Sequence, residues 1–166
     1  MSDLHRWHAA FESHKAEARA LVDAHPRAIL NAQTDPTQWS ALQILAHLNV
    51  TAAMLLPQLR DAADRNHPHD VSLGRLDGFF ERDASNQGLE DDGLHLVPAF
   101  DHDPAEVLDR FERLQDSLIS LADHGVSGDQ HTGASVASWL EGTWAHQARH
   151  LAEARATVAA LEAQAA

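Results

Sequence analysis

The chain has 166 residues, a length that fits one domain (1–166) able to bury a sizeable core. Its net charge is −13 with no basic block, the wrong sign for a nucleic-acid partner, and it has no cysteine. That absence excludes a disulfide framework, thiolate metal ligands and a cysteine nucleophile. Abundant Ala, Leu, Glu, Gln and Arg, few β-branched residues and no Tyr favour helix over strand. The N-terminal residues do not form a signal peptide, and the apolar runs fall short of a membrane span. The expectation is a cytoplasmic protein with no membrane partner.

The first predicted helix runs from about Asp3 to about Leu30, with Leu4, Trp7, Phe11, Ala18, Leu21 and Val22 at helical spacing on its core face. Pro26 interrupts it, so a kink or break is expected just before that residue. Asp35-Pro36 punctuates a turn over 31–38. A second helix starts near Ser40, where Ser40 and Gln43 match a capping box, and continues to about Arg65 with Pro57 inside it.

Residues 66–102 differ in character, with Gly74, Gly78, Gly88 and Gly93, two prolines and the acidic Glu90-Asp91-Asp92. A short helix is expected around Leu73–Asp83, and a connection this long either acts or crosses over something. The third long helix opens at Asp103-Pro104-Ala105-Glu106, which reads as N-cap, first-turn proline and first-turn acid, and closes at Gly125. Val107, Leu108, Phe111, Leu114, Leu118 and Leu121 mark its apolar face. After a polar loop over 126–133 the fourth helix spans about Ser135 to Ala163. Four amphipathic helices without a strand signal define an all-α four-helix bundle. The long connection between the second and third helices leaves room for a crossover that would make those two helices parallel.

The chain holds 13 histidines, so position says more than number. His67 and His69 flank Pro68, and His124 precedes Gly125; all three read as incidental. His146 and His150 are four residues apart, which stacks both imidazoles on one helix face, together with Trp139, Thr143 and Thr157. His47 lies in an apolar run with Ile44, Val50 and Met54 on its face. Taken alone, His47 reads first as a core histidine bonded to a carbonyl or polar side chain, and the pair reads equally as surface histidines. If the two helices face each other, the three imidazoles converge on one divalent ion and leave coordination positions open, as catalytic sites do. Asp101-His102-Asp103 looks like a ligand cluster, but Asp103 is already explained as a cap.

Trp39-Ser40-Ala41-Leu42-Gln43-Ile44-Leu45-Ala46-His47-Leu48 resembles the second-helix signature of the DinB/YfiT-like superfamily. His146-Gln147-Ala148-Arg149-His150-Leu151-Ala152-Glu153 resembles its fourth-helix signature, and Val97-Pro98-Ala99-Phe100 its approach to the third helix. The resemblance covers nearly the whole chain. It implies a four-helix bundle binding a divalent metal through His47, His146 and His150, and frequent homodimerisation. It also implies an activity class that includes bacillithiol- or mycothiol-dependent S-transferases and a mycothiol-dependent isomerase. Three imidazoles suit Zn, Ni, Mn or Fe alike. Ligating imidazoles usually donate their other N–H to an acceptor, for which Gln43 and Glu153 are candidates. Glu153 reads otherwise as a general base, a fourth ligand or a solvated surface glutamate.

Two functional classes follow. One is a metal-dependent enzyme acting on a small molecule, either a thiol S-transferase whose low-molecular-weight thiol comes from outside the cysteine-free chain, or a hydrolase. The alternative is a non-catalytic metal- or small-molecule-binding dimeric bundle with a vestigial site. The polarity around the metal separates them.

Overall fold

A computed structural model of the chain describes residues 3–64, 101–125 and 130–165. Those residues form five helices and no strand: α1 (Asp3–Ala24), α2 (Arg27–Asn31), α3 (Ala41–Asp64), α4 (Pro104–Gly125) and α5 (Gln130–Ala165). The expected short helix at Leu73–Asp83, the acidic Glu90–Asp92 run, the Val97–Phe100 approach, and His67 and His69 lie outside the described residues.

The breaks fall where local chemistry requires them. Pro26 ends the first long run as an extended N-cap to the single-turn α2, because its ring has no N–H to donate and clashes with the preceding turn. At the start of α3 the capping box closes in both directions: Gln43 N–H donates to Ser40 Oγ at 3.2 Å, and Ser40 N–H donates to Gln43 Oε1 at 3.0 Å. Asp103 caps α4 by accepting from the amides of Ala105 and Glu106 at 2.9 and 3.1 Å. Just before it, Asp101 adopts a φ of 60°, a left-handed conformation that Asp tolerates. Asn31 exchanges two hydrogen bonds with the backbone of His102 at 2.9 and 3.0 Å, and Arg27 binds the Asp101 carboxylate at 3.1 Å. The Asp101–Asp103 cluster is thus a clip holding α2 to the start of α4.

The last helix departs from expectation. It begins at Gln130, so residues 130–133 of the expected loop are helical. Gly133 signals a break in sequence terms but costs only about 1 kcal/mol against alanine in a helix. Buried Val136, Trp139 and Leu140 just downstream anchor the turn that contains it.

The helices surround two apolar clusters at opposite ends. One joins Ala18 and Leu21 of α1, Leu42, Leu45 and Leu48 of α3, Val107 and Phe111 of α4, and Leu151 and Val158 of α5. The other joins Trp7 and Phe11, Leu55 and Leu59, Leu118 and Leu121, and Val136 and Leu140. One end therefore collects the N-terminal halves of α3 and α4 with the C-terminal halves of α1 and α5. So α3 and α4 run parallel, α1 and α5 run the other way, and the chain leaves α3 at one end and begins α4 at the other. That is the crossover which the long connection allowed. α3 packs along both α4 and α5, and α1 packs on the same two helices from the far side of the bundle.

Ala41–Arg60 of α3 is, by length and composition, apolar enough to cross a membrane, which corrects the expectation that every apolar run falls short. The stretch is mostly buried inside the bundle, because α3 is covered on two sides and needs apolar residues around most of its circumference.

Between the two clusters a polar layer crosses the interior: His14, His47, Thr51, Gln115, Thr143, His146, Gln147 and His150, all buried. His14 Nδ1–H donates to Gln147 Oε1 at 3.0 Å, tying α1 to α5, and its ring stacks on Trp144 with centroids 6.2 Å apart. Burial holds the His14 imidazole below the usual histidine value of 6.5, outweighing the opposing pull of the Gln147 hydrogen bond and of Glu17. The unfolded chain therefore binds the proton more readily in the window just below 6.5, so His14 costs stability as pH falls through it. In urea titrations of metal-stripped protein, stability should drop between pH 7 and pH 5. His14→Gln should show a shallower drop, the difference reaching at most about 1.4 kcal/mol per pH unit. Identical slopes would show that His14 does not titrate differently on folding.

Candidate metal centre

The apolar sequence around His47 places it on the inner face of α3, where the ring is fully buried. α5 faces it, and the i, i+4 spacing stacks His146 and His150 toward the same point. The rings of His47 and His146 stand 5.5 Å apart between centroids, His47 and His150 5.1 Å, and His146 and His150 4.6 Å. One ligand nitrogen from each lies within 4.8 Å of the others, a group that could hold a metal ion. Three nitrogens around a tetrahedral zinc stand about 3.4 Å apart at bond lengths of about 2.0–2.1 Å, so small rotations of the three side chains close the set. The three residues singled out in the sequence are thus brought together from two helices nearly a hundred positions apart.

The surroundings define a direction. Glu153, one helical turn beyond, accepts a hydrogen bond from His150 Nδ1–H at 2.9 Å, which fixes the tautomer and makes Nε2 the acceptor nitrogen of the ring. The Glu153 side chain is 40% exposed while that of His150 is 4% exposed, so this carboxylate stands at the boundary between the site and solvent. Of the roles open to it, the contact made is that of an orienting acceptor behind the ring. Gln43, the other candidate acceptor, has its Oε1 engaged by Ser40 N–H and by Gln33 Nε2–H at 3.1 Å, so that oxygen belongs to the α3 cap.

Two neighbours were not singled out as site residues by sequence. The indole of Trp39 lies 4.9 Å from the His47 ring at a tilt of 50° and forms one wall. Arg149 donates from Nη2 to His150 Nε2 at 3.1 Å. For Trp39 the signal was its place immediately before the capping box. For Arg149 no pattern existed, because a cation between two candidate ligands reads as an ordinary helix-surface residue. Thr143, on the His146 face, is buried and returns its hydroxyl to the Trp139 carbonyl at 2.8 Å, so it serves its own helix.

A parallel-paired four-helix bundle with a buried three-histidine group on its second and last long helices defines a class of helical proteins equipped to bind metal. The family model described as the DinB superfamily matches residues 10–154, and the chain belongs to that superfamily. Among curated proteins and among solved structures no match was found.

For a divalent ion held by the triad, Glu153→Ala should lower affinity about 10- to 100-fold, because the His150 ring loses the partner that orients it. Competition against a chromophoric chelator measures this, with circular dichroism as the folding control. Unchanged affinity would mark Glu153 as a solvated surface glutamate.

Proposed function

We propose that this protein binds a divalent metal ion through His47, His146 and His150 and is a metal-dependent enzyme acting on a small molecule. The favoured chemistry is S-transfer with a low-molecular-weight thiol, and metal-assisted hydrolysis is the neighbouring reading. The observation that carries the proposal is the convergence of three buried imidazoles within 4.8 Å, with no carboxylate in the group among the described residues. Such a donor set leaves at least one coordination position for water or substrate, where a closed structural site would have a fourth protein ligand. A bound ion supplies Lewis acidity, lowering the pKa of a coordinated water or thiol.

The chain's own residues supply the rest. Glu153 holds the His150 ring through Nδ1–H, so Nε2 is the nitrogen that would ligate once the Arg149 guanidinium yields it. Trp39 shields His47 on one side. Both Arg149 and Glu153 stand at the partly exposed edge, so the site has a polar side toward solvent, which favours catalysis over the alternative of a sealed, non-catalytic binding bundle. With no cysteine in the chain, any thiol must arrive as a cosubstrate. The family resemblance further motivates a homodimer.

Elemental analysis of protein purified without a histidine tag tests the centre. Wild type should carry close to one equivalent of a divalent metal per chain. His47→Ala, His146→Ala and His150→Ala should each lose most of it, whereas His8→Ala, at an exposed position of α1, should not. Binding should weaken as pH falls through about 6.5, the reference imidazole value, because a protonated ring cannot ligate. A triple variant that keeps its metal would sink the proposal. Light scattering at micromolar concentration should give twice the chain mass, and a monomer throughout would remove the dimer.

A further inference from the structure

Gln115 is a buried polar side chain that neither the helix packing nor the three-histidine group uses. It lies on α4 one turn after Phe111 and one turn before Leu118, both fully buried and each a member of a different apolar cluster. That spacing sets its side chain on the inner stripe of the helix, in the polar layer between the clusters. The residue is 0% exposed, and both amide atoms, Nε2 and Oε1, have no hydrogen-bond partner among the described residues. Other side chains of the layer differ: Thr51 and Thr143 return their hydroxyls to their own helices at 3.0 and 2.8 Å, and His14 is bound to Gln147. A buried amide that bonds nothing opposes folding, so an apolar residue of the same shape would serve stability better.

The level of Gln115 in the bundle is fixed by its neighbours. Asp116, the next residue, accepts from Lys15 Nζ at 2.6 Å, and His14, beside Lys15 in α1, binds Gln147 of α5 at 3.0 Å. Gln115 and Gln147 therefore stand at one level, and Gln147 is the chain neighbour of His146 in the metal group. Gln147 Nε2 is also buried and without a partner among the described residues, its Oε1 being taken by His14. Beside the histidines this level presents two amide NH2 groups and one amide carbonyl, all uncharged.

Resting on the metal reading above, we propose that Gln115 is a specificity-determining residue that recognises an uncharged carboxamide edge, a C=O beside an N–H, on the small molecule held at the metal centre. A carboxamide edge is its own complement: Gln115 Nε2–H donates to the ligand carbonyl, and Gln115 Oε1 accepts from the ligand N–H. Gln147 Nε2–H is a second donor for that carbonyl, which has two lone pairs. One ligand group then satisfies all three amide atoms. An ester keeps the carbonyl but lacks the N–H, so it leaves Gln115 Oε1 buried without a donor. A site built to hydrogen-bond a group rejects the analogue that lacks it.

Two measurements on Gln115→Met, which keeps the side-chain size and removes the amide, test this without any assay of turnover. The first is thermal melting of metal-stripped, full-length protein. The variant should melt at or above wild type, because it loses no hydrogen bond to a described residue and buries one polar group fewer. A variant that melts lower, or does not fold, shows that Gln115 serves the structure and overturns the inference. The second measurement uses protein loaded with cobalt(II) and two uncharged thiols, 3-mercaptopropionamide and methyl 3-mercaptopropionate. Titration of the sulfur-to-cobalt charge-transfer band gives a dissociation constant for each. Wild type should bind the amide about tenfold or more tighter than the ester, and Gln115→Met should bring that ratio to about one. The same ratio in both proteins overturns the inference, as it would if Gln115 held only buried water. Cobalt uptake with no thiol band from either probe overturns it too. Failure of wild type to take up cobalt is a different result: it overturns the metal centre, and the inference falls with it.

Discussion

The constraint on which the rest of this structure depends is the burial of three imidazoles at mid-height in a helical core. An imidazole removed from water without partners is costly, and His47, His146 and His150 are all buried. The bundle accommodates them by dividing its apolar core into two clusters with a polar layer between. Each cluster draws side chains from α1, α3, α4 and α5, so each end ties all four long helices together. The layer between them can then hold polar side chains without dissolving the fold.

That division has topological consequences. The triad requires α3 and α5 to pack face to face at the right height. The two clusters show the start of α3 beside the end of α5, an antiparallel pair. Since α4 runs parallel to α3, a short hairpin cannot join them. Parallel neighbours joined by a long connection are the arrangement of crossover bundles. The clip between Asn31 and His102, with Arg27 on Asp101, then ties the short α2 to the point where α4 begins.

A carboxylate and a cation both border the site. The protein is strongly acidic, yet among the described residues the three-histidine group contains no carboxylate, and a cation, Arg149, approaches one of its rings. Glu153 binds Nδ1 of His150 and orients the ring from the edge opposite Arg149. His14 belongs to the same polar layer but serves a different end: bound to Gln147 and stacked on Trp144, it joins α1 to α5 beside the triad.

Much of this was determined by the sequence itself, because the signals are local. The 3.6-residue periodicity of Trp7, Phe11, Ala18 and Leu21, the reciprocal Ser40–Gln43 pattern and the Asp103 cap act within a few residues, and each appears where expected. The i, i+4 spacing of His146 and His150 is likewise a property of one helix. Other features needed the tertiary structure. Nothing local says that Gly133 is carried inside a helix, since the burial of Val136, Trp139 and Leu140 against other helices decides it. Whether His47 is a core histidine or part of a triad depends on which helix faces it across the bundle. The roles of Glu153 and Arg149 turn on ring orientation, which only packing fixes: each touches a different nitrogen of His150, and at the level of sequence the two are simply charged residues on one helix.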